Sequence, residues 1–313
     1  MSSQVYTSTE VRPKSSTRSL WQRLFNTESI TAYLFILPSI IGFFTFIVLP
    51  MIRGIQISFT QWNLQRPPKY IGFENYVDAF ADPRFWNALK VTLYYVVLNI
   101  PLQTLIALFM AVVMDRVTKS EAVRGILIIP YLLSNVIVAM IWLWILDPNL
   151  GFLNILLERM GFESQDFFYS ITQGIPTIAG VNIWRHMGIN ALLFYAGIQS
   201  IPKSLYEAAT IDGAGEWGMF RRITLPLLRP VTVFVLVTNI VGSWQIFDTV
   251  AVATQGGPID ATRVYVYYIV QNAFELSKFG YAAALAVILF CILIVITLIQ
   301  MRVLRGNSSD LSS

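Results

Sequence analysis

The chain has 313 residues, of which 55% are apolar and only 13% are charged, whereas an ordinary soluble domain is about 25% charged. Several stretches of about twenty residues lack charge altogether, and a helix of that length crosses the hydrocarbon layer of a bilayer. The composition therefore argues against a soluble protein and predicts an all-α protein that crosses the membrane several times. The single cysteine excludes an internal disulfide and a cysteine-based zinc site.

The N-terminal segment, residues 1–30, is rich in Ser, Thr and basic residues and has no apolar periodicity before Leu20. This pattern predicts a flexible cytoplasmic tail that ends in a short interfacial helix. The first apolar run, residues 31–52, is followed by no small-residue cleavage site. We therefore expect a retained membrane helix rather than a cleaved signal peptide.

Six long apolar runs predict six transmembrane helices. The fourth run is interrupted by Arg185 and His186, and the fifth ends at Asp248. The runs are residues 31–52, 91–114, 125–146, 176–199, 231–247 and 281–301. They define a membrane domain over residues 31–301 and a cytoplasmic C-terminal tail over residues 302–313. None of the connections between the helices is long enough to form a separate catalytic domain.

Lys and Arg residues in the connections predict the orientation, because cytoplasmic loops carry an excess of basic residues. With the N-terminus inside, basic residues are about twice as dense in the cytoplasmic segments as in the external ones. The opposite orientation would place the basic segment 115–124 outside, together with Arg221, Arg222 and Arg229. Both termini are therefore predicted to be cytoplasmic, and so is the connection between the fourth and fifth helices.

That connection, residues 201–226, has the pattern of two short helices. Ser204 and Glu207 are three residues apart, as in a capping box, so a helix is expected to begin here. Two glycines, of which Gly213 is the first, are expected to end it. A second short helix should follow, with basic residues at its C-terminal end. The sequence predicts a compact helix–turn–helix on the cytoplasmic side.

The spacing of residues in this connection resembles a known motif. Glu207 begins a Glu-Ala-Ala triplet, Gly213 follows after three further residues, and Ile223, Leu225 and Pro226 come near the end. This is the spacing of the EAA loop in membrane subunits of binding-protein-dependent ABC importers. The chain is similar to the carbohydrate permeases of that class, which include those for maltose, lactose, raffinose and glycerol phosphate. Further matching segments are residues 49–50, 58–59, 72–76, 82–86, 247–248, 254–258 and 279–283.

The resemblance implies a type I ABC importer permease that has no catalytic or metal site of its own. In this family the EAA loop docks into a cleft of the ATPase subunit, where Glu207 would meet a polar partner and Gly213 would make the turn. ATP and Mg would be bound by that separate subunit, because the chain has no Gly-Lys dipeptide and hence no P-loop. The implied coupling residues are Glu207, Ala208, Ala209, Gly213, Ile223, Leu225 and Pro226.

The same resemblance implies the partners and the location of the chain. Two ATPase subunits, most simply a homodimer, would join a second homologous permease, and an extracytoplasmic solute-binding protein would deliver the sugar. The chain would lie among lipids of a bacterial or archaeal cytoplasmic (inner) membrane and would bind no nucleic acid.

Sugar recognition needs hydrogen-bonding side chains beside an aromatic face, because a pyranose has hydroxyls at its rim and C–H groups on its faces. The fourth and fifth predicted helices offer both, and the family contacts its sugar from corresponding stretches. The candidate pathway residues are Asn182, Trp184, Arg185, His186, Asn190, Asn239, Ser243, Trp244 and Gln245. Alternatively, Arg185 and Asp248 form a structural pair, or Asp248 lies at the outer interface. One histidine cannot make a metal site.

Three other classes of protein compete with this interpretation. An ion-coupled transporter would need buried carboxylates, but the predicted helices contain no Asp or Glu except Asp248 at one end. An intramembrane enzyme would need a nucleophile–base pair or a His-Glu-x-x-His motif, and the sequence has neither. Only the EAA loop argues against the interpretation as a receptor or a scaffold protein. The cargo stays open between mono-, di- and oligosaccharides and polyol phosphates.

Overall fold

The computed structural model describes residues 27–117 and 120–305. The predictions for residues 1–26 of the N-terminal tail and 306–313 of the C-terminal tail concern residues outside the described part. The described part is mostly helical, as predicted. It also contains two short strands, β1 (Thr60–Gln61) and β2 (Lys69–Tyr70), which pair in antiparallel orientation. The chain divides into two units, residues 1–54 and residues 55–313.

The first unit consists of one long apolar helix in its described part. Helix α1 (Thr27–Phe43) continues through a π-helical turn (Phe44–Val48) into α2 (Leu49–Ser58), whose end belongs to the second unit. The window Tyr33–Ser58 has a mean hydropathy of 2.3 and is long enough to cross a membrane. Its large apolar side chains are exposed, as expected for a lipid-facing helix. The predicted first span therefore lies within a helix.

The second unit contains the remaining helices. They are α3 (Glu74–Ala81), α4 (Pro83–Val117), α5 (Glu121–Leu132), α6 (Asn135–Ile145), α7 (Phe152–Arg159), α8 (Gly174–Gln199), α9 (Lys203–Ile211), α10 (Glu216–Met219), α11 (Leu225–Leu227), α12 (Arg229–Trp244), α13 (Asp248–Ala253), α14 (Tyr265–Val270) and α15 (Phe279–Arg305). The three stretches Pro83–Val117, Arg229–Ala253 and Phe279–Arg302 are long and apolar enough to span a membrane.

The predicted span over residues 125–146 is not one continuous helix. The structure has two helices there, α5 and α6, bent by 94° at a break. Leu133 and Ser134 have extended backbone conformations, so the helical hydrogen bonds stop at this point. Helix α8 has 26 residues and could also cross a bilayer at 1.5 Å per residue, but its polar residues keep it below the hydropathy of the other spans. The count of six spans stays a prediction.

Helix α8 lies at the centre of the second unit and packs against α4, α5 and α12. Large side chains such as Tyr95 of α4 and Phe194 of α8 are fully buried in this region. The contact between α8 and α5 is closest at Gly188, where an added Cβ atom would lie 1.8 Å from the carbonyl oxygen of Leu127. The helices can approach so closely only because Gly188 has no side chain.

The connection between α6 and α8 is fixed by side chains that bind its backbone. The Asp147 carboxylate accepts hydrogen bonds of 2.9 Å from the N–H groups of Leu150 and Asn149. These bonds favour the charged form and hold the pKa of Asp147 below its ordinary value. Asn154 is buried and joins the segment to Gln165 through two bonds of 2.9 Å. The connection is therefore a packed loop rather than a separate domain.

Candidate functional site

The predicted helix–turn–helix in residues 201–226 is present. Its first helix is α9, and its second is α10 followed by a π-helical turn (Phe220–Thr224). The rings of Trp217 and Phe220 stack with centroids 5.5 Å apart, as their spacing on one face predicts. The predicted capping box is wrong, because the helix begins at Lys203 with Pro202 at its N-cap and no side chain caps it. Ser204 therefore lies inside the first turn.

Gly213 ends α9 in the geometry of a Schellman motif. Its φ angle is 76°, in the left-handed region that favours glycine. The N–H of Ala214 donates to the carbonyl of Ala209 at 2.9 Å, and the N–H of Gly213 donates to the carbonyl of Thr210 at 3.1 Å. The third residue of the Glu-Ala-Ala triplet thus belongs to the turn that Gly213 makes, and the two parts of the motif form one local structure.

The outer surface of this segment exposes both charged and large apolar side chains. Glu207 and Ala208 are exposed, and within residues 27–117 and 120–305 no side chain pairs with the Glu207 carboxylate. Ile211 and Trp217 are 87% and 72% exposed. Exposed large apolar side chains beside an unpaired carboxylate are typical of a surface that another protein covers.

Two contacts join α4 to this segment and to the end of α8. Arg116, near the end of α4, forms an ion pair with Glu216 at the start of α10. The neighbouring Asp115 accepts a hydrogen bond of 2.6 Å from Gln199, at the end of α8. The ends of α4 and α8 are thereby joined to each other and to the loop.

Helices α4, α8 and α12 enclose a polar cavity of about 480 Å³. Ligand sites have volumes of roughly 300–1,000 Å³, so the space suits a small molecule. The cavity lies beside two breaks in the spans, one between α5 and α6 and the other between α12 and α13. The first residues of α6 and α13 meet there, because Asn135 donates a hydrogen bond of 2.6 Å to Asp248. Non-helical backbone at membrane depth is tolerated where it lines such a cavity.

Amide side chains from three helices meet on the cavity wall. Gln103 and Asn190 each donate to the Oδ1 atom of Asn239, both at 3.3 Å. Asn99 donates to Gln103 at 2.9 Å and to Ser243 at 3.1 Å. The network joins α4, α8 and α12 and places hydrogen-bonding groups around the cavity.

The structure brings six of the predicted pathway residues to this cavity, and they are Asn182, His186, Asn190, Asn239, Ser243 and Gln245. Trp184 and Trp244 lie elsewhere, because Trp184 packs edge-to-face on Trp142 and Trp244 is 6% exposed in the core. Arg185 is also absent from the wall. Its Nη2 atom donates to the carbonyl oxygens of Tyr131 and Leu133, at the break between α5 and α6. The alternative pair of Arg185 with Asp248 is not formed within 4 Å in the described part of the chain.

Several cavity residues are not among those that the sequence predicted. Asn99 and Gln103 of α4 are the clearest, and Tyr95, Asn135 and Thr249 also line the space. A signal was available for the first two, because two amides four residues apart lie on one face of a helix that is otherwise apolar. Polar side chains inside a span face protein or a cavity rather than lipid.

Replacing Asn239 by Leu is expected to lower transport by about tenfold, because it leaves the buried donors of Gln103 and Asn190 without their acceptor. Replacing Gln245 by Leu should lower it less, since this side chain is exposed within the cavity. Uptake kinetics of both variants, compared at equal subunit composition, check this. Unchanged kinetics in both would remove the two residues from the pathway.

A helical membrane domain with a polar cavity between its spans and an exposed helix–turn–helix has the parts of a transport permease. Residues 103–307 match the family of binding-protein-dependent transport system inner membrane components. The chain belongs to this family. It is therefore a non-catalytic permease subunit of an ABC importer in a prokaryotic inner membrane, as the sequence predicts.

Relatives and solved structures agree with this assignment. The chain is 36% identical to "Probable ABC transporter permease protein YesP" of Bacillus subtilis, over 90% of this chain and 92% of the relative. It is 33% identical to the arabinooligosaccharides transport system permease protein AraP of the same organism, over 93% of each. The fold matches a chain of a bacterial ABC transporter that imports the acidic polysaccharide alginate, with a TM-score of 0.82, 28% identity and coverage of 92% and 99%. That transporter has also been solved with an alginate pentasaccharide-bound periplasmic protein (TM-score 0.80, 28% identity, coverage of 90% and 96%).

Proposed function

We propose that this chain forms half of the pathway of a carbohydrate importer and that its cargo passes through the cavity between α4, α8 and α12. The amide cluster of Asn99, Gln103, Asn190 and Asn239 carries the proposal. It supplies hydrogen-bond donors and acceptors on three separate helices, which is what a polyhydroxylated ligand needs. Tyr95 and Phe234 add aromatic surface to the same wall.

The segment of residues 201–226 is proposed as the surface on which an ATPase subunit docks. Glu207 would accept a hydrogen bond from that subunit, Ala208 and Ala209 would permit close approach, and Gly213 would hold the turn. The other members of the motif, Ile223, Leu225 and Pro226, would connect the loop to α12. ATP and Mg would be held by the docked subunit.

The complete importer would contain two such ATPase subunits, a second permease and an external solute-binding protein. A periplasmic protein binds the alginate importer, to which this chain is similar. A binding protein is therefore proposed here as the source of the cargo.

Purification of the chain in mild detergent tests this assembly. We expect an ATPase and a second permease to co-purify, identified by mass spectrometry, and the ATPase rate to rise when a loaded sugar-binding protein is added. Recovery of the chain alone, stable and without any ATPase, would contradict the proposal and return attention to an ion-coupled transporter.

A further inference from the structure

The wall of the cavity that this chain contributes carries one formal negative charge and no cation. Asp248 is its only carboxylate, and no Lys or Arg among residues 27–117 and 120–305 lines it. Arg185 is near but is engaged by the carbonyl oxygens of Tyr131 at 3.1 Å and Leu133 at 2.9 Å. These contacts stabilise the C-terminal end of α5.

His186 adds no positive charge to the wall. Its Nε2 atom lies 2.9 Å from Nη1 of Arg185, and its Nδ1 atom lies 2.9 Å from the carbonyl oxygen of Asn182. A guanidinium group can only donate, so Nε2 accepts and bears no proton. A carbonyl oxygen can only accept, so Nδ1 is the protonated nitrogen. These two contacts assign the neutral tautomer to the imidazole.

From this arrangement we infer that the cavity selects an uncharged, polyhydroxylated cargo, a neutral saccharide or polyol, and that Asp248 disfavours anions. The inference rests on the proposed function. The Asp248 carboxylate accepts hydrogen bonds from hydroxyl groups but repels a negative charge that comes close to it. Family membership alone does not decide the question, because alginate is acidic and arabinooligosaccharides are not.

The charge of the transported compound tests the inference. The complete complex is placed in proteoliposomes and offered a hydrolysate of plant and algal polysaccharides with added glycerol 3-phosphate, separated by anion exchange at pH 7 into neutral and acidic fractions. We expect ATP-dependent accumulation from the neutral fraction only, measured by mass spectrometry of the vesicle contents. Accumulation of an acidic compound would overturn the inference. ATP hydrolysis without accumulation from either fraction would contradict the carbohydrate importer itself.

A charge variant isolates the contribution of Asp248. Asp248→Asn removes the charge and keeps a side chain of the same shape beside Asn135, so the ratio of acidic to neutral uptake should rise by about tenfold. Glu163→Gln makes the same chemical change at an exposed site between α7 and α8 and should leave the ratio unchanged. An unchanged ratio in Asp248→Asn would remove the selective role from this residue. If that variant does not assemble, the fractionation with the unaltered complex decides the class of cargo.

Discussion

Replacing Gly188 by Ala is expected to prevent α5 and α8 from packing together. The new Cβ atom would lie 1.8 Å from the carbonyl oxygen of Leu127 and 2.6 Å from its carbonyl carbon. Both are backbone atoms, so no side chain can rotate away. The loss of folding free energy should therefore exceed the roughly 1–3 kcal/mol that is typical of an overpacked core. We expect most of the purified variant to aggregate in detergent and the remainder to unfold at a clearly lower temperature.

Gly180→Ala is the matched control. Gly180 is on the same helix, and a Cβ atom there has no neighbour within 4 Å. The substitution should even favour the helix slightly, since alanine has the higher helix propensity. Equal unfolding temperatures for the two variants would show that the contact between α5 and α8 can widen without cost and would contradict the prediction.

The apolar runs predicted the position of most spans because the bilayer forces this composition on any helix that it surrounds. They did not predict the break at Leu133 and Ser134. At the break, Arg185, which is about fifty residues away in sequence, donates to the released carbonyl groups. A long-range contact of this kind has no local signature, and Pro130 inside α5 indicates a weak point in the helix but not where the run breaks.

The residues of the cavity wall were predictable only in part. Polar residues within an apolar helix must face protein or water, and Asn182, Asn190 and Asn239 do line the cavity. The same argument would have found Asn99 and Gln103. It failed for the tryptophans, because an indole ring is equally suited to a ligand site and to a packed core. Trp184 and Trp244 belong to the core, and only the tertiary structure separates the two uses.

One helix connects the cavity to the exposed loop. Helix α4 carries Asn99 and Gln103 on the cavity wall and Arg116 at its far end, where the ion pair with Glu216 is made. Gln103 and Arg116 are about 20 Å apart along the helix axis at 1.5 Å per residue. A single exposed ion pair contributes little stability. We therefore expect movement of the loop to reach the cavity mainly through the packed contact between α4 and α8.

Replacing Gly213 by Val is expected to uncouple ATP hydrolysis by the complex from transport of the cargo. The φ angle of 76° is strained for any side chain and most of all for a β-branched one. Relief of this strain requires a new backbone conformation, which breaks the hydrogen bonds that Ala209 and Thr210 accept from the turn. The Glu207 carboxylate would then lose its fixed position relative to α10. Uptake per ATP hydrolysed should fall by about tenfold or more, while insertion into the membrane is retained.

Gly215→Val provides the control two residues further on. Gly215 has φ of −73° and ψ of 165°, an extended conformation that valine readily adopts, and a Cβ atom there has no neighbour within 4 Å. This variant carries the same side chain in the same loop, so it reports the effect of bulk without backbone strain. It should retain most of its coupling. If Gly213→Val transports as efficiently as Gly215→Val, the turn is not needed to hold the docking surface, and coupling must depend on α10 and its ion pair with α4.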